Sequence, residues 1–313
     1  MSTRTPPDLT AGNAGRQTRE RAVGAVFLAC AALTVATTLT IVLALVGDAL
    51  VFFGEISPID FFTGTTWSPN LLVDGEFRYG VLPLISGTLT IMLGSALVAL
   101  PLGLGAAIYL SEYASSRTRG ALKPALEVLA GIPTVVYGYF ALVYITPTVK
   151  ELLPLSTFNA VSAAVVVGVM IVPMVSSISE DAMNAVPDSL REASLGLGAT
   201  KFRTTVSVVV PAAASGIVSS FILALSRAIG ETMAVTIAAG QNPRLIAPGN
   251  LDAVFGPIET MTAAIVNLGL SDNTANSVQY RSLFAIGLTL FAVTLAMNVI
   301  SQYVARHYRE VYQ

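Results

Sequence analysis

The sequence predicts an all-α integral membrane protein with six transmembrane helices, and three observations support this fold class. Of its 313 residues, 54% are hydrophobic and only 12% are charged, whereas soluble domains carry about 25% charged residues. The apolar residues are concentrated in six long runs instead of being spread along the chain. Lysine and arginine are divided very unequally between the two sides that these runs define.

The rest of the composition excludes several classes of function. The net charge of −2 gives no reason to expect nucleic-acid binding. The single cysteine, Cys30, excludes a disulfide framework, and the single histidine, His307, excludes the usual histidine metal site and most serine–histidine chemistry. We therefore expect a membrane protein that is not an enzyme and holds no metal.

The first apolar run covers 24–47 and contains no charged residue. A helix of this length, at about 1.5 Å per residue, crosses the ~30 Å hydrocarbon layer. The run is longer than the apolar core of a signal peptide and has no clear cleavage site, so it predicts a membrane span. Residues 1–23 are polar and rich in arginine, and we expect them to form a cytoplasmic tail.

Five further runs complete the predicted membrane domain, which extends over 24–304 and leaves 305–313 as a second cytoplasmic tail. These runs cover 81–110, 124–146, 158–178, 212–240 and 283–304. They lack strand-like alternation, so we expect helices, which satisfy their own backbone hydrogen bonds in lipid. Pro101, Pro133 and Pro173 are then expected inside helices, where neighbouring helices cover the freed carbonyls.

The distribution of basic residues predicts the orientation. With the N-terminus in the cytoplasm, 12 of the 17 lysines and arginines lie on the inner side, 4 lie outside and Arg227 lies within a span. Cytoplasmic loops of membrane proteins carry this excess of positive charge. Both termini are therefore predicted to be cytoplasmic, which agrees with an even number of spans.

Two external segments have distinctive compositions. Segment 48–80 mixes aromatic residues, including Trp67, with acidic residues, which is typical of a segment at the membrane interface. Segment 241–280 is rich in proline, glycine and asparagine but contains an apolar patch over 261–270. Because this patch is too short to span the bilayer, we expect an interfacial or re-entrant helix.

The cytoplasmic loop 180–211 has the pattern of a small helical knob. Ser189 and Glu192 have the S-x-x-E spacing of a capping box, which predicts a helix start at Ser189, and Gly198 lies beyond its end. Thr200 is expected to cap a second short helix. Two short helices joined at a glycine would project from the membrane and fit a cleft on another protein.

The same loop resembles the EAA loop of the membrane subunits of ABC-type importers. The matching residues are Glu192, Ala193, Ser194, Gly198, Val208, Val210 and Pro211. Serine replaces the third motif alanine and valines replace the usual Ile and Leu, but the spacing is kept. The resemblance implies that Glu192, Ala193, Gly198 and Pro211 couple this chain to a cytoplasmic ATPase. The chain has no G-x-x-x-x-G-K-[ST] loop, so no cofactor is expected on it and ATP would be bound by that partner.

Run 212–240 contains two charged residues, Arg227 and Glu231. Their i, i+4 spacing places them one turn apart on one face of a helix. Each charge near the bilayer centre costs about 2.5–3.5 kcal/mol, so such residues usually face a bundle interior or an aqueous path. A guanidinium suits a tetrahedral oxyanion, and a nearby carboxylate can hold it when the path is empty. The alternative is a purely structural ion pair.

Several segments resemble the permease of phosphate-specific ABC importers, the PstC type. They are 226–235 (SRAIGETMAV), 127–138 (EVLAGIPTVVYG), 101–112 (PLGLGAAIYLSE) and the Trp67-Ser68-Pro69 tripeptide. The resemblance covers all but about the first 20 residues. It implies a type I ABC importer permease fold, with Arg227 and Glu231 on the phosphate path. Glu127, expected at a helix N-terminus, is a weaker candidate.

The resemblance also implies partners and a location in the cell membrane. They are a second permease subunit of the PstA type, a dimer of cytoplasmic ATP-binding subunits, an external phosphate-binding protein and the lipid bilayer. Two alternatives within this class stay open: the paired phosphate permease itself, or a permease for sulfate or molybdate. A channel or proton-coupled carrier that titrates Glu231 is the alternative from another class, and it predicts inverted repeats that the sequence does not show.

Overall fold

The computed structural model describes residues 14–73, 75–247 and 249–307, which are mostly helical. The helices are α1 (Ala14–Glu55), α2 (Pro58–Thr63), α3 (Leu82–Ile108), α4 (Ser116–Gly131), α5 (Thr134–Phe140), α6 (Thr146–Lys150), α7 (Ala160–Asn184), α8 (Asp188–Gly196), α9 (Lys201–Thr204), α10 (Val210–Ala212), α11 (Ala214–Ile229), α12 (Met233–Ala239), α13 (Met261–Leu270) and α14 (Val278–His307). Strands β1 (Trp67–Val73) and β2 (Glu76–Tyr79) form an antiparallel hairpin.

The predicted fold class is confirmed, although two of the six spans are not single helices. In the described residues, four helices are long and apolar enough to cross a membrane: Thr18–Glu55, Leu82–Tyr113, Ala160–Asn184 and Val278–Ile300. Two bent pairs bring the number to six when each pair is counted as one span. Ser116–Gly131 and Thr134–Lys150 meet at 90°, and Lys201–Ala212 and Ala214–Ile229 meet at 70°.

The ends of the chain are more helical than expected. Helix α1 begins at Ala14, so 14–23 are helical, while 1–13 lie outside the described residues. Helix α14 continues to His307, and 308–313 again lie outside the described residues. The cytoplasmic position of both tails stays a prediction.

Pro133 marks a break and does not lie inside a helix, so that prediction was wrong. It is the N-cap of α5, and the preceding Ile132 is extended, with ψ 130°. The ring of a proline disfavours helical geometry in the residue before it, and the missing N–H removes one helical hydrogen bond. Pro101 and Pro173 do lie inside α3 and α7, as expected.

Helices α3 and α7 form the centre of the bundle, and α11 packs beside them. Small residues let α3 and α7 approach closely: a Cβ on Gly103 would lie 2.6 Å from the Cβ of Val175, and one on Gly168 would lie 2.7 Å from that of Val98. Membrane helices associate through such packing because lipid gives no hydrophobic drive.

Most of the aromatic side chains of 48–80 pack on one another. Phe52, Phe61, Trp67 and Tyr79 are buried, with edge-to-face ring contacts at centroid distances of 5.5–6.2 Å. These four side chains form a core beneath the hairpin. The expected position of the segment at the membrane interface stays a prediction. The patch at 261–270 is the short helix α13, and its Met261 belongs to the same core.

Candidate functional site

The two intramembrane charges lie on either side of a helix break. Helix α11 ends at Ile229, Gly230 is its C-cap, and α12 starts at Met233. The prediction that Arg227 and Glu231 share one continuous helix was therefore wrong. Glycine costs about 1 kcal/mol in a helix interior, which makes Gly230 a suitable place for the break.

Hydrogen bonds at the break hold both the side chain and the carbonyl of Glu231, whereas the Arg227 side chain is half exposed. The Ala234 N–H donates to Glu231 Oε1 at 3.2 Å, so the carboxylate satisfies the first turn of α12. Thr262 Oγ1 donates to the Glu231 carbonyl at 2.9 Å, which ties α13 to the break. The other carboxylate oxygen lies 3.7 Å from Arg227 Nη2. The Glu231 side chain is 3% exposed and that of Arg227 is 47% exposed, so the guanidinium is available to a further anion.

Arg227 opens onto a cavity of about 340 Å³ between α4, α7 and α11. Its polar and charged lining residues are Lys123, Glu127, Thr134, Ser177, Glu180 and Arg227. Glu127 thus shares the cavity with Arg227. The sequence predicted Glu127 at a helix N-terminus, but it lies near the C-terminus of α4. The reason is that α4 begins as early as Ser116, with Ser115 accepting the Thr118 N–H at 3.2 Å.

A buried ion cluster at one end of this cavity was not foreseen. Glu180 is 2% exposed, with Oε1 2.9 Å from Arg119 Nε and Oε2 3.4 Å from Lys123 Nζ. We had expected Glu180 at the start of the loop 180–211, but α7 continues to Asn184. The i, i+4 spacing of Arg119 and Lys123 was the available signal, because it places both cations on one face of α4. A carboxylate buried this deeply is stable only when it is paired.

Glu259 is a second buried carboxyl that the sequence did not single out. It lies just before α13 and is 2% exposed. Burial raises its pKa from 4.5 to about 7, and a hydrogen bond from Asn267 Nδ2 at 3.3 Å opposes that rise. The group therefore takes up a proton as the pH falls through neutrality. In the described part of the chain, no three histidine, cysteine or acidic side chains lie together as a metal site requires.

The loop predicted over 180–211 forms two short helices, as expected, but its boundaries differ. Helix α8 begins at Asp188 with Pro187 as N-cap and has no capping side chain, so the predicted capping box at Ser189 was wrong. Asp188 lies in the first turn of α8, where an acid is stabilised by the helix dipole. The predicted cap at Thr200 is confirmed, since its Oγ1 accepts the Arg203 N–H at 3.3 Å. Pro211 lies in α10, before the 70° bend into α11.

This knob, residues 188–212, presents an apolar surface that nothing in the described chain covers. Leu197 is 90% exposed and Phe202 is 69% exposed. The residues implied in coupling, Glu192, Ala193, Gly198 and Pro211, are also exposed. Gly198 has φ +84°, a conformation that side-chain-bearing residues rarely adopt, and it forms the turn between the two helices. Large exposed apolar side chains of this kind are typical of a protein-binding surface.

Substituting Gly138 with valine is expected to destabilise the fold by about 1–3 kcal/mol through overpacking. Gly138 lies where α5 packs on α12, and a Cβ there would lie 2.9 Å from the Ile237 Cβ and 3.0 Å from the Ala234 carbonyl oxygen. The thermal unfolding midpoint in detergent measures the effect. Gly105→Val is the control, because no atom lies within 4 Å of a Cβ there. Equal midpoints for the two variants would contradict the close packing of α5 and α12.

Comparison with known sequences places these features in a family. Residues 99–310 match the family described as binding-protein-dependent transport system inner membrane component. The chain is 34% identical over 300 residues to the probable ABC transporter permease protein YqgH of Bacillus subtilis, covering 95% of this chain and 94% of that one. It is 32% identical to the phosphate transport system permease protein PstC of Mesorhizobium japonicum, covering 82% and 80%. The corresponding protein of Haemophilus influenzae is 33% identical, covering 77% and 79%.

Solved structures agree on the fold. A chain of a bacterial alginate ABC transporter, in complex with a periplasmic protein, superposes with a TM-score of 0.63 at 15% identity, covering 94% of this chain and 98% of that one. A chain of the inward-facing MetNI methionine ABC transporter gives 0.52 at 17% identity, covering 74% and 95%. At these identities the likeness shows the architecture alone.

Proposed function

Because the chain belongs to the binding-protein-dependent transport system inner membrane component family, as an ABC importer permease of the PstC type, we propose that it forms the inorganic phosphate pathway of an ATP-driven importer. The chain is a multi-pass membrane permease subunit, and ATP hydrolysis belongs to a partner chain. The substrate, the pathway residues and the individual partners are the proposal.

The observation that carries the proposal is the half-exposed guanidinium of Arg227 at the cavity. Its contact with Glu231 is long, at 3.7 Å, and Glu231 is held in place by the Ala234 N–H. An oxyanion can therefore displace the carboxylate from Arg227 while Glu231 stays capped and buried. Arg227 binds the anion during passage, and Glu231 occupies the guanidinium between passages. Several relatives named as phosphate permeases support phosphate as that anion.

The proposed assembly contains four kinds of partner. The knob docks into a cytoplasmic ATP-binding subunit, two copies of which bind the ATP, so that this chain needs no cofactor. A second permease subunit of the PstA type completes the pathway, and an external phosphate-binding protein docks on the outer segments. The excess of basic residues on one side supports cytoplasmic termini in the cell membrane.

A permease for another oxyanion, or the paired phosphate permease, is the second candidate. The relative from Bacillus subtilis is named only as a probable ABC transporter permease, and a guanidinium binds sulfate and molybdate as well as phosphate. The proton-coupled carrier has less support, because the family of this chain consists of transport components that depend on a binding protein.

Uptake of labelled phosphate into proteoliposomes that contain this chain and its partners tests the proposal. We expect uptake that requires ATP, falls with excess unlabelled phosphate and is unaffected by excess sulfate. Liposomes assembled without this chain are the control. Competition by sulfate would favour the second candidate, and uptake driven by a pH gradient without ATP would favour the carrier.

A further inference from the structure

Arg191 joins the knob to the membrane helices. Its Nη2 donates to Glu112 Oε1 at 3.0 Å and to the Met183 carbonyl at 2.8 Å, while Nη1 donates to the Val186 carbonyl at 2.6 Å and to Asp188 Oδ1 at 3.1 Å. Glu112 lies in the π-helical turn Tyr109–Tyr113 that extends α3, and Met183 lies in the last turn of α7. One side chain of α8 therefore contacts the cytoplasmic ends of two spans.

The burial of this pair distinguishes it from an ordinary surface ion pair. The Arg191 side chain is 17% exposed and that of Glu112 is 8% exposed. The Met183 carbonyl lies in the last turn of α7 and also accepts the Val186 N–H at 3.2 Å. A cation at this end of the helix is stabilised by the helix dipole. Lysine cannot reproduce the contacts, because they need the several donors of a planar guanidinium.

Helix α8 also packs its half-buried Leu190 on an apolar cluster that includes Ala107 of α3 and Met183 of α7. None of its residues is fully buried. Its other side-chain hydrogen bond outside the helix joins Ser194 Oγ to Thr204 Oγ1 at 2.9 Å, and Thr204 belongs to the knob itself. Of the side-chain hydrogen bonds described for α8, those of Arg191 are thus the ones that reach the spans. Within the described residues, Arg191 is therefore the hydrogen-bonded link through which a displacement of α8 reaches α3 and α7, beside the apolar contact of Leu190.

A continuous polar network leads from Glu112 to the cavity. Ser111 Oγ lies 3.1 Å from both Glu112 Oε1 and Asn184 Oδ1. Arg119 Nη2 donates to Asn184 Oδ1 at 3.0 Å, and Arg119 Nε lies 2.9 Å from Glu180 Oε1. Glu180 lines the cavity that Arg227 opens onto. The network therefore connects the knob with the region proposed for the anion.

We propose that Arg191 is the positioning residue that transmits movement of α8 to α3 and α7, with Glu112 as its acceptor on α3. This inference rests on the proposed docking of α8 to an ATPase and is independent of which anion is carried. Removing the link leaves a complex that assembles and hydrolyses ATP but no longer converts hydrolysis into transport. A purely structural role would lower assembly and hydrolysis together.

The test compares Arg191→Gln, Arg191→Lys and Glu112→Gln in the assembled complex. Two quantities are measured in proteoliposomes: ATP hydrolysed per phosphate imported, and the stimulation of hydrolysis by phosphate-loaded binding protein. For Arg191→Gln we expect unchanged pull-down of the ATPase, loss of stimulation, and a rise in the ATP-to-phosphate ratio of about tenfold, within the range of ordinary coupling free energies. The double variant Arg191→Gln/Glu112→Gln is expected to be no worse than the more affected single variant, because the pair acts as a unit.

Arg117→Gln is the matched control, since it removes the same charge from an exposed position on α4. A wild-type ratio in Arg191→Gln, an additive double variant, or loss of the ATPase from the complex would overturn the inference. If the wild-type complex itself imports no phosphate, the proposed substrate has failed. The same ratio, measured with whichever oxyanion the wild type imports, then still decides the role of Arg191.

Discussion

Replacing Arg227 with glutamine is expected to lower phosphate uptake at least about 100-fold, equivalent to about 2.7 kcal/mol and close to what a hydrogen bond to a charged group contributes. Glutamine keeps a hydrogen-bond donor but removes the charge that attracts the anion. The uptake rate of Arg227→Lys is expected to lie between those of the wild type and Arg227→Gln, because lysine keeps the charge without the bidentate geometry. Initial rates of ATP-dependent uptake in proteoliposomes measure both variants.

Assembly is expected to survive the substitution, because Glu231 keeps its hydrogen bond from the Ala234 N–H and Arg227 is half exposed. Lys150→Gln, at an exposed position at the end of α6, is the charge-matched control. Uptake at the wild-type rate in Arg227→Gln, with equal protein in the membrane, would leave Arg227 as a structural partner of Glu231. Reduced recovery of the complex would lead to the same conclusion.

The spans were predictable because membrane insertion depends on hydropathy and length, which are sequence properties. Four of the six predicted runs are single helices, and the apolar patch at 261–270 is the helix α13. The break at Pro133 has a local cause that is visible in the sequence, namely the proline itself. What the sequence alone did not decide was whether neighbouring helices would accommodate that proline, as they do for Pro101 and Pro173.

The site was predictable in its residues but not in its shape. Arg227 and Glu231 stand out because charges are rare in apolar runs, and they do form a pair. Their separation by the break at Gly230 depends on tertiary contacts from Thr262, which is distant in sequence. The role of Glu180 was likewise hidden, because its two cationic partners come from α4. The i, i+4 spacing of these two cations indicates that they share a helix face, but it does not indicate which carboxylate they pair with.

The contacts of Arg191 illustrate the same limit. The capping-box spacing of Ser189 and Glu192 drew attention to the surface of the loop, yet the helix starts one residue earlier, without that cap. Arg191, one of the two residues between them, makes the hydrogen bonds to α3 and α7. The capping-box spacing describes local contacts only, so it gave no indication of the long-range contacts of Arg191.

Replacing Gly198 with valine is expected to release the ATPase from the complex, lowering the amount recovered in a pull-down at least about tenfold, or about 1.4 kcal/mol. Gly198 has φ +84°, and left-handed geometry costs roughly 1–2 kcal/mol for residues with a Cβ and more for a β-branched one. A Cβ at this position meets no atom within 4 Å, so the expected effect is conformational and not a clash. The turn between α8 and α9 would relax, which separates Leu197 from Phe202 on the docking surface.

Gly196→Ala is the control for this experiment, because Gly196 is also free of neighbours within 4 Å but has no positive φ. We expect it to bind the ATPase as the wild type does, since alanine favours the helical conformation that residue 196 already has in α8. Unfolding midpoints of the two variants should agree within a few degrees, because a Cβ at either position has no neighbour within 4 Å. Wild-type recovery of the ATPase with Gly198→Val would mean that the docking surface lies elsewhere on the chain. If both variants fail to recover the ATPase, any change at the tip of the knob is sufficient to release it. The positive φ of Gly198 would then not be the cause.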